Sequence, residues 1–145
     1  MAYIYSPWKK VEATPGSSNV NEKNAYGHIC EVTLDTSGHT ADIVTPPFDW
    51  AVTTDFTIIC NADATNLNTV NLSAMSIEGS ANGTTYAEMS TLGATAIDSV
   101  SVHFIHDITT HGVMPFMRYQ SDGFSGAVIG SGTASFKIMI IPHVA

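Results

Sequence analysis

The chain has 145 residues, with thirteen acidic against five basic side chains, a formal net charge of −8, and only 12% charged residues. One domain of this length holds a core without disulfide staples, and the acid excess excludes a binder of phosphate backbones, which needs clustered Lys and Arg. The longest apolar run, near Ile138–Ile141, is far short of the ~20 residues that cross a bilayer, so neither nucleic acid nor membrane is expected as a partner.

Taken in order, the chain opens on Ala2–Glu12, AYIYSPWKKVE, where Tyr3, Ile4, Tyr5, Trp8 and Val11 are apolar and Pro7 blocks a helix. Burial of these side chains does not offset the entropy of fixing the whole segment, so it must lie on its own sandwich or on another subunit. As a partner contact, the expected residues are Tyr3, Tyr5, Trp8, Lys9 and Lys10. Trp8 leads because aromatic residues dominate interface hot spots. Three lysines against two glutamates make residues 1–25 weakly basic, beside an acidic remainder, a charge arrangement that suits docking onto an acidic neighbour. Thr14–Tyr26 is turn-rich and reads as a linker. The division is therefore an extended N-terminal arm and linker over residues 1–26 and a sandwich domain over 27–145. Met1–Tyr5 lacks a basic stretch followed by an apolar core, so cytoplasmic synthesis is expected.

Period-two alternation then predicts strands. His28–Leu34 places Cys30, Val32 and Leu34 on one face, Thr40–Val44 stops at Pro46-Pro47, and Asp55–Asn61 turns Phe56, Ile58 and Cys60 inward. Asn71–Glu78 changes phase near Ala74, through either a bulge or burial on both faces. Thr85–Thr91 is the return strand and Gly93–Ala96 a connection. Asp98–His106 alternates cleanly through Val100, Val102 and Phe104, Ile108–Val113 is a loop, and Met114–Ser121 is a strand. Asp122–Gly132, with four glycines, is a long connection, and Thr133–Ile141 closes the domain with Phe136, Ile138 and Ile140 inward. About eight short strands and no convincing helix predict an all-β, antiparallel, jelly-roll-like sandwich.

Catalytic patterns are missing. No Gly-x-Ser-x-Gly elbow, phosphate-cradling loop or His-Glu-x-x-His pair occurs, and an enzyme is not expected. His103 and His106, three apart on a strand, face opposite ways and cannot share an ion. His106, Asp107 and His111 meet only around a loop and read as a polar strand end, so no metal and no cofactor are expected. Cys30 and Cys60 lie in apolar runs and read as buried thiols, bridged only if their Cα atoms come within about 7 Å. Arg118 is the single arginine. In mid-strand it needs a carboxylate such as Glu78, Glu88 or Asp122.

The strongest local signal is Gly79-Ser80-Ala81-Asn82-Gly83-Thr84 between two strand-like runs, followed by Tyr86. Asn-Gly there is a hairpin signature, because both residues accept φ > 0 cheaply. Gly-Ser-x-Asn-Gly-x-x-Tyr, with Phe116-Met117-Arg118-Tyr119 later in the chain, resembles a Gly-Ser-x-Asp-Gly-x-x-aromatic and aromatic-x-Arg pattern of β-sandwich domains in tailed-bacteriophage virion proteins. The resemblance spans roughly Phe56 to Ile141. It implies a capsid decoration or cement protein on the virion, binding the major capsid protein or other virion subunits and forming a homo-oligomer, a trimer by preference. The alternative is a carbohydrate- or receptor-binding sandwich module, with Trp8, Trp50, Tyr86 and Tyr119 as candidate contacts.

Overall fold

The computed structural model describes residues 3–12, 26–34, 42–62, 70–97, 102–122 and 134–143. Among the described residues the strands are β1 (Ile4–Tyr5), β2 (Lys9–Glu12), β3 (Tyr26–Leu34), β4 (Ile43–Val44), β5 (Phe56–Ala62), β6 (Val70–Ser80), β7 (Ala87–Ile97), β8 (Val102–His106), β9 (Phe116–Ser121) and β10 (Ala134–Pro142), and Ile108–His111 forms a helical turn, α1. All pairings are antiparallel. The first sheet runs β3-β10-β5-β8 with β1 and β2 both on the free side of β3, and the second runs β4-β9-β6-β7. From β3 onward the chain crosses between the sheets at every step except β6 to β7, which is the double Greek key of a jelly roll. The expected all-β sandwich is what the chain forms.

The inward faces follow the predicted parity. Cys30, Val32, Phe56, Ile58, Cys60, Ile138 and Ile140 of the first sheet are buried against Ile43, Met75, Ile77, Met117 and Tyr119 of the second. Phe104 packs on this core half-buried, and Val100 lies outside the described residues. Cys30 and Cys60 both face Ile138, one on each neighbouring strand, so two strand spacings of ~4.8 Å separate them. Both thiols are free. Burial pushes the Cys30 thiol up to about 11 and the Cys60 thiol up to about 12.

The structure decides one open alternative of the sequence reading and differs from it in two elements. The phase change in β6 is a bulge: Ala74 takes φ +52°, and the register jumps from Leu72↔Thr95 to Met75↔Gly93. That spare residue lets Met75 and Ile77 both turn fully inward. The return strand also continues through Gly93–Ala96, the stretch read as a connection. Finally, Ile108–His111 is a helical turn rather than plain loop, because Asp107 caps it by accepting from the Thr109 N–H at 2.8 Å.

The N-terminal segment is ordered by this chain's own sandwich. β1 and β2 pair with β3 on either side of a break at Ser6–Trp8, where Ser6 exchanges bonds with Glu31: its N–H donates to the Glu31 carbonyl at 2.9 Å and its Oγ accepts from the Glu31 N–H at 2.8 Å. The Tyr5 hydroxyl accepts from the Val44 N–H at 2.8 Å, tying the edge of the first sheet to β4 of the second. Tyr3 and Trp8 enter the core, each 7% exposed. The arm is thus the outermost strand pair of the first sheet. The linker, residues 13–25, lies outside the described residues.

Candidate functional site

The hairpin between β6 and β7 is built by two short polar side chains. Ser80 Oγ accepts from the N–H groups of Asn82 at 3.2 Å and Gly83 at 2.9 Å, and donates to Asn82 Oδ1 at 3.0 Å. Asn82 Oδ1 in turn accepts from the N–H groups of Thr84 and Thr85, both at 2.9 Å. Side chains thereby satisfy the backbone donors of a turn too tight to pair them internally. Gly83 takes φ +78°, which only glycine adopts cheaply. The Phe116 ring lies over it, 3.3 Å from where a Cβ would stand.

This turn delivers Tyr86 to the outer face of the second sheet, where it meets the second half of the motif. The Arg118 guanidinium stacks 3.6 Å over the Tyr86 ring, and Arg118 Nε donates to Glu78 Oε1 at 2.8 Å. Glu78 and Arg118 face each other in register across β6 and β9. Ser76 and Gln120 form the next rung, with Ser76 Oγ donating to Gln120 Oε1 at 3.1 Å. Phe116, 39% exposed, forms the rung with Ser80 at the turn end. The two separated motif halves therefore assemble one surface: a fixed guanidinium on an aromatic base, a carboxylate, a carboxamide and an open phenyl ring. Arg118 has the carboxylate partner that its mid-strand position demands, one of the three the sequence offered.

The other residues of interest are placed differently. Trp8 is inside: its Nε1 donates to the Pro46 carbonyl at 2.8 Å, and its ring meets Phe48 and Trp50 edge-on, with centroids 5.2 and 5.4 Å apart. Trp50 is stacked with His28, with centroids 3.6 Å apart, and with Phe48, with centroids 4.5 Å apart, both within 14° of parallel. Two rings that close and that parallel cannot share one face of the indole, so both faces of Trp50 are covered. Tyr119 is fully buried. Of the four aromatic candidates for a sugar contact, only Tyr86 lies at an open sheet face. Phe116, the first aromatic of the aromatic-x-Arg pattern, is exposed on a sheet as well. Lys9 and Lys10 are exposed beside Trp8, at a surface hollow of about 760 Å³ that Val11, Ile29 and Lys137 also line. A second, apolar cleft of about 360 Å³ lies between the loop carrying Phe48 and Trp50 and the approach to β9 at Val113–Pro115.

One further pair has the spacing of a nucleophile and its base. Ser90 Oγ lies 2.8 Å from His106 Nδ1, and His106 Nε2 lies 3.0 Å from the Gly112 carbonyl. A carbonyl only accepts, so Nε2 carries the proton; burial disfavours a second proton on the ring, and in that neutral form Nδ1 accepts from Ser90. Both residues are buried, at 3% and 0% exposure, and the His106 ring stacks on Phe56. A substrate has no access to a pair sealed like this, so its role is to cross-link β7, β8 and the loop after α1. Burial holds the His106 pKa below the usual histidine range. The unfolded chain takes up a proton near pH 6.5 that the folded chain refuses, so stability is lost as pH falls below about 6.5, by at most ~1.4 kcal/mol per pH unit for this group. His28 is shifted the same way, also by burial. Urea midpoints at pH 7.5 and 5.5 should show the loss, and His106→Gln should flatten it.

No protein-family model and no curated protein matches the chain. Among solved structures it is similar to the N-terminal cellulose-binding domain of Cellulomonas fimi β-1,4-glucanase C, at 13% identity over 95% of this chain and 90% of that one, with a TM-score of 0.44. It is also similar to the K1 cleaved adhesin domain of Lys-gingipain from Porphyromonas gingivalis W83, at 13% identity over 100% of both chains and a TM-score of 0.41, and to CtCBM11, at 17% identity over 100% of this chain and 86% of that one and a TM-score of 0.33.

Proposed function

We propose that the chain is a non-catalytic carbohydrate-binding module whose binding surface is the outer face of the second sheet. The observation that carries this reading is the Glu78–Arg118–Tyr86 stack beside the open ring of Phe116. A pyranose offers an apolar C–H face and a rim of hydroxyls. An exposed ring suits the first, and a donor fork and a carboxylate in fixed positions suit the second, because orienting them in advance lowers the entropy lost on binding. Arg118 is held at both its π-face and its Nε, so little of its freedom remains to lose.

The test is affinity electrophoresis through gels containing soluble neutral or acidic polysaccharides. At least one polysaccharide should retard the wild-type protein, and Phe116→Ala should weaken that retardation by about tenfold, roughly 1.4 kcal/mol, with an unchanged circular dichroism spectrum. Free migration in every polysaccharide would sink the proposal, and so would full retardation of the variant.

A second reading, a virion structural protein docked on the major capsid protein, is favoured by the exposed Lys9 and Lys10 at the edge of an acidic body. Lys9→Glu/Lys10→Glu should then abolish incorporation into particles without changing polysaccharide binding.

A further inference from the structure

We propose that the outer face of the first sheet is a homodimer interface, in which one copy packs on a second copy of this chain about a two-fold axis. The proposal stands apart from the sugar-binding reading, which uses the other sheet. It starts from an anomaly in three central strands. A sheet that faces water on one side alternates apolar with polar residues. β3, β10 and β5 instead carry apolar residues on both faces: Cys30, Ile138 and Cys60 form an inner rung, while Ile29, Met139 and Ile59 form the adjoining outer rung in continuous register. Ile141 extends this outer surface and, through Thr57, lies in register with Ile105 on β8. Ile105 is 58% exposed, and Val11, on the opposite edge strand, is 39% exposed. The apolar surface therefore runs across the whole sheet, about 19 Å from β2 to β8 at the usual strand spacing, and a continuous patch of that kind marks an interaction site.

Charge identifies the occupant. Lys9 is in register with Ile29, and Lys137 is in register with Glu31, so lysines occupy one corner of the face, outnumbering the single glutamate among them. Asp55 and Asp107, each one residue past the Phe56–His106 end of the β5–β8 pair, stand at the diagonally opposite corner, where Asp55 Oδ1 accepts from the Ile108 N–H at 2.9 Å and Asp107 Oδ1 from the Thr109 N–H at 2.8 Å. The Asp55 carbonyl receives the His143 N–H there, at 2.8 Å. A surface that is apolar in the middle, basic at one corner and acidic at the other is complementary to itself. A two-fold axis in the plane of the interface, perpendicular to that diagonal, lays each basic corner on the partner's acidic one, as an isologous contact requires. An unrelated acidic partner would leave Asp55 and Asp107 facing like charge.

The test is sedimentation velocity of the full chain over a concentration series. Wild type should sediment as a dimer. Ile105→Glu should raise the dimer dissociation constant by at least about tenfold, and Lys137→Glu should raise it severalfold. Both side chains are exposed, so both variants should keep the wild-type circular dichroism spectrum, and any fall in melting temperature should track the lost dimer and vanish at concentrations where the wild type is also a monomer. A wild-type monomer would assign the face to a different occupant and overturn the proposal. A trimer would also overturn it, as would a dimer indifferent to either substitution.

Discussion

Trp8→Ala should destabilise the isolated protein by about 3–5 kcal/mol, the usual range for removing a large buried aromatic. For a chain near 150 residues this is a fall in melting temperature of roughly 6–20 °C. The size follows from what the indole touches. It is 7% exposed, stands edge-on to both Phe48 and Trp50, and donates to the Pro46 carbonyl at 2.8 Å. Removing it opens a cavity among three rings and strands a half-buried carbonyl. It also loosens Trp50, whose His28 and Phe48 neighbours rely on the same packing. Lys9→Ala/Lys10→Ala is the control, because exposed substitutions usually stay within about ±0.5 kcal/mol. If Trp8→Ala left the melting temperature unchanged, the segment would be held by something other than its own sandwich. If the lysine variant fell as far as the tryptophan variant, electrostatics rather than packing would hold the edge strand.

The fold was legible because its signal is local. Period-two spacing at Cys30/Val32, Phe56/Ile58/Cys60 and Ile138/Ile140 identifies inward faces without knowledge of any partner, and the structure buries all of these residues. The seat of the arm was not legible, because it depends on contacts 38 residues away, such as Trp8 with Pro46. The sequence narrows the choice to its own sandwich or another subunit and stops there. The candidate site was half legible. The hairpin turn could be read from Ser80-x-Asn82-Gly83, and Arg118 was seen to need a carboxylate. That Tyr86 forms the base under Arg118 depends on β6 lying between β7 and β9, and this strand order leaves no trace in spacing. His106, which composition reads as part of a polar strand end, carries the opposite signal in its spacing. It shares the parity of Phe104, which assigns it to the interior, and the structure seals it there.

Gly79→Val should be among the most damaging single substitutions in the second sheet, and the reason separates the two glycines of the turn motif. Gly83 is needed for its backbone angle, φ +78°. Gly79 has no such angle; what it supplies is space. A Cβ on Gly79 would stand 2.6 Å from Met114 Cγ and 2.9 Å from Met114 Cβ, and would overlap Met89 Sδ as well. The Met89 thioether can swing aside, since it ends a flexible chain. Met114 Cβ cannot move without its backbone, which leads directly through Pro115 into β9. Overpacking of this kind costs typically ~1–3 kcal/mol, at times more. Against it stands the preference of a strand for a β-branched residue over glycine, at most about 1 kcal/mol. The steric effect wins, so Gly79→Ala should lower stability by about 1–3 kcal/mol and Gly79→Val by more. Met114→Ala in the Gly79→Ala background should recover part of the loss, whereas Met89→Ala should recover little. Urea denaturation of the four variants decides the matter. An unchanged midpoint for Gly79→Val would mean that β9 yields freely. The rung from Ser80 to Phe116 would then be loose enough that the stack of Arg118 on Tyr86 is not a prearranged surface at all.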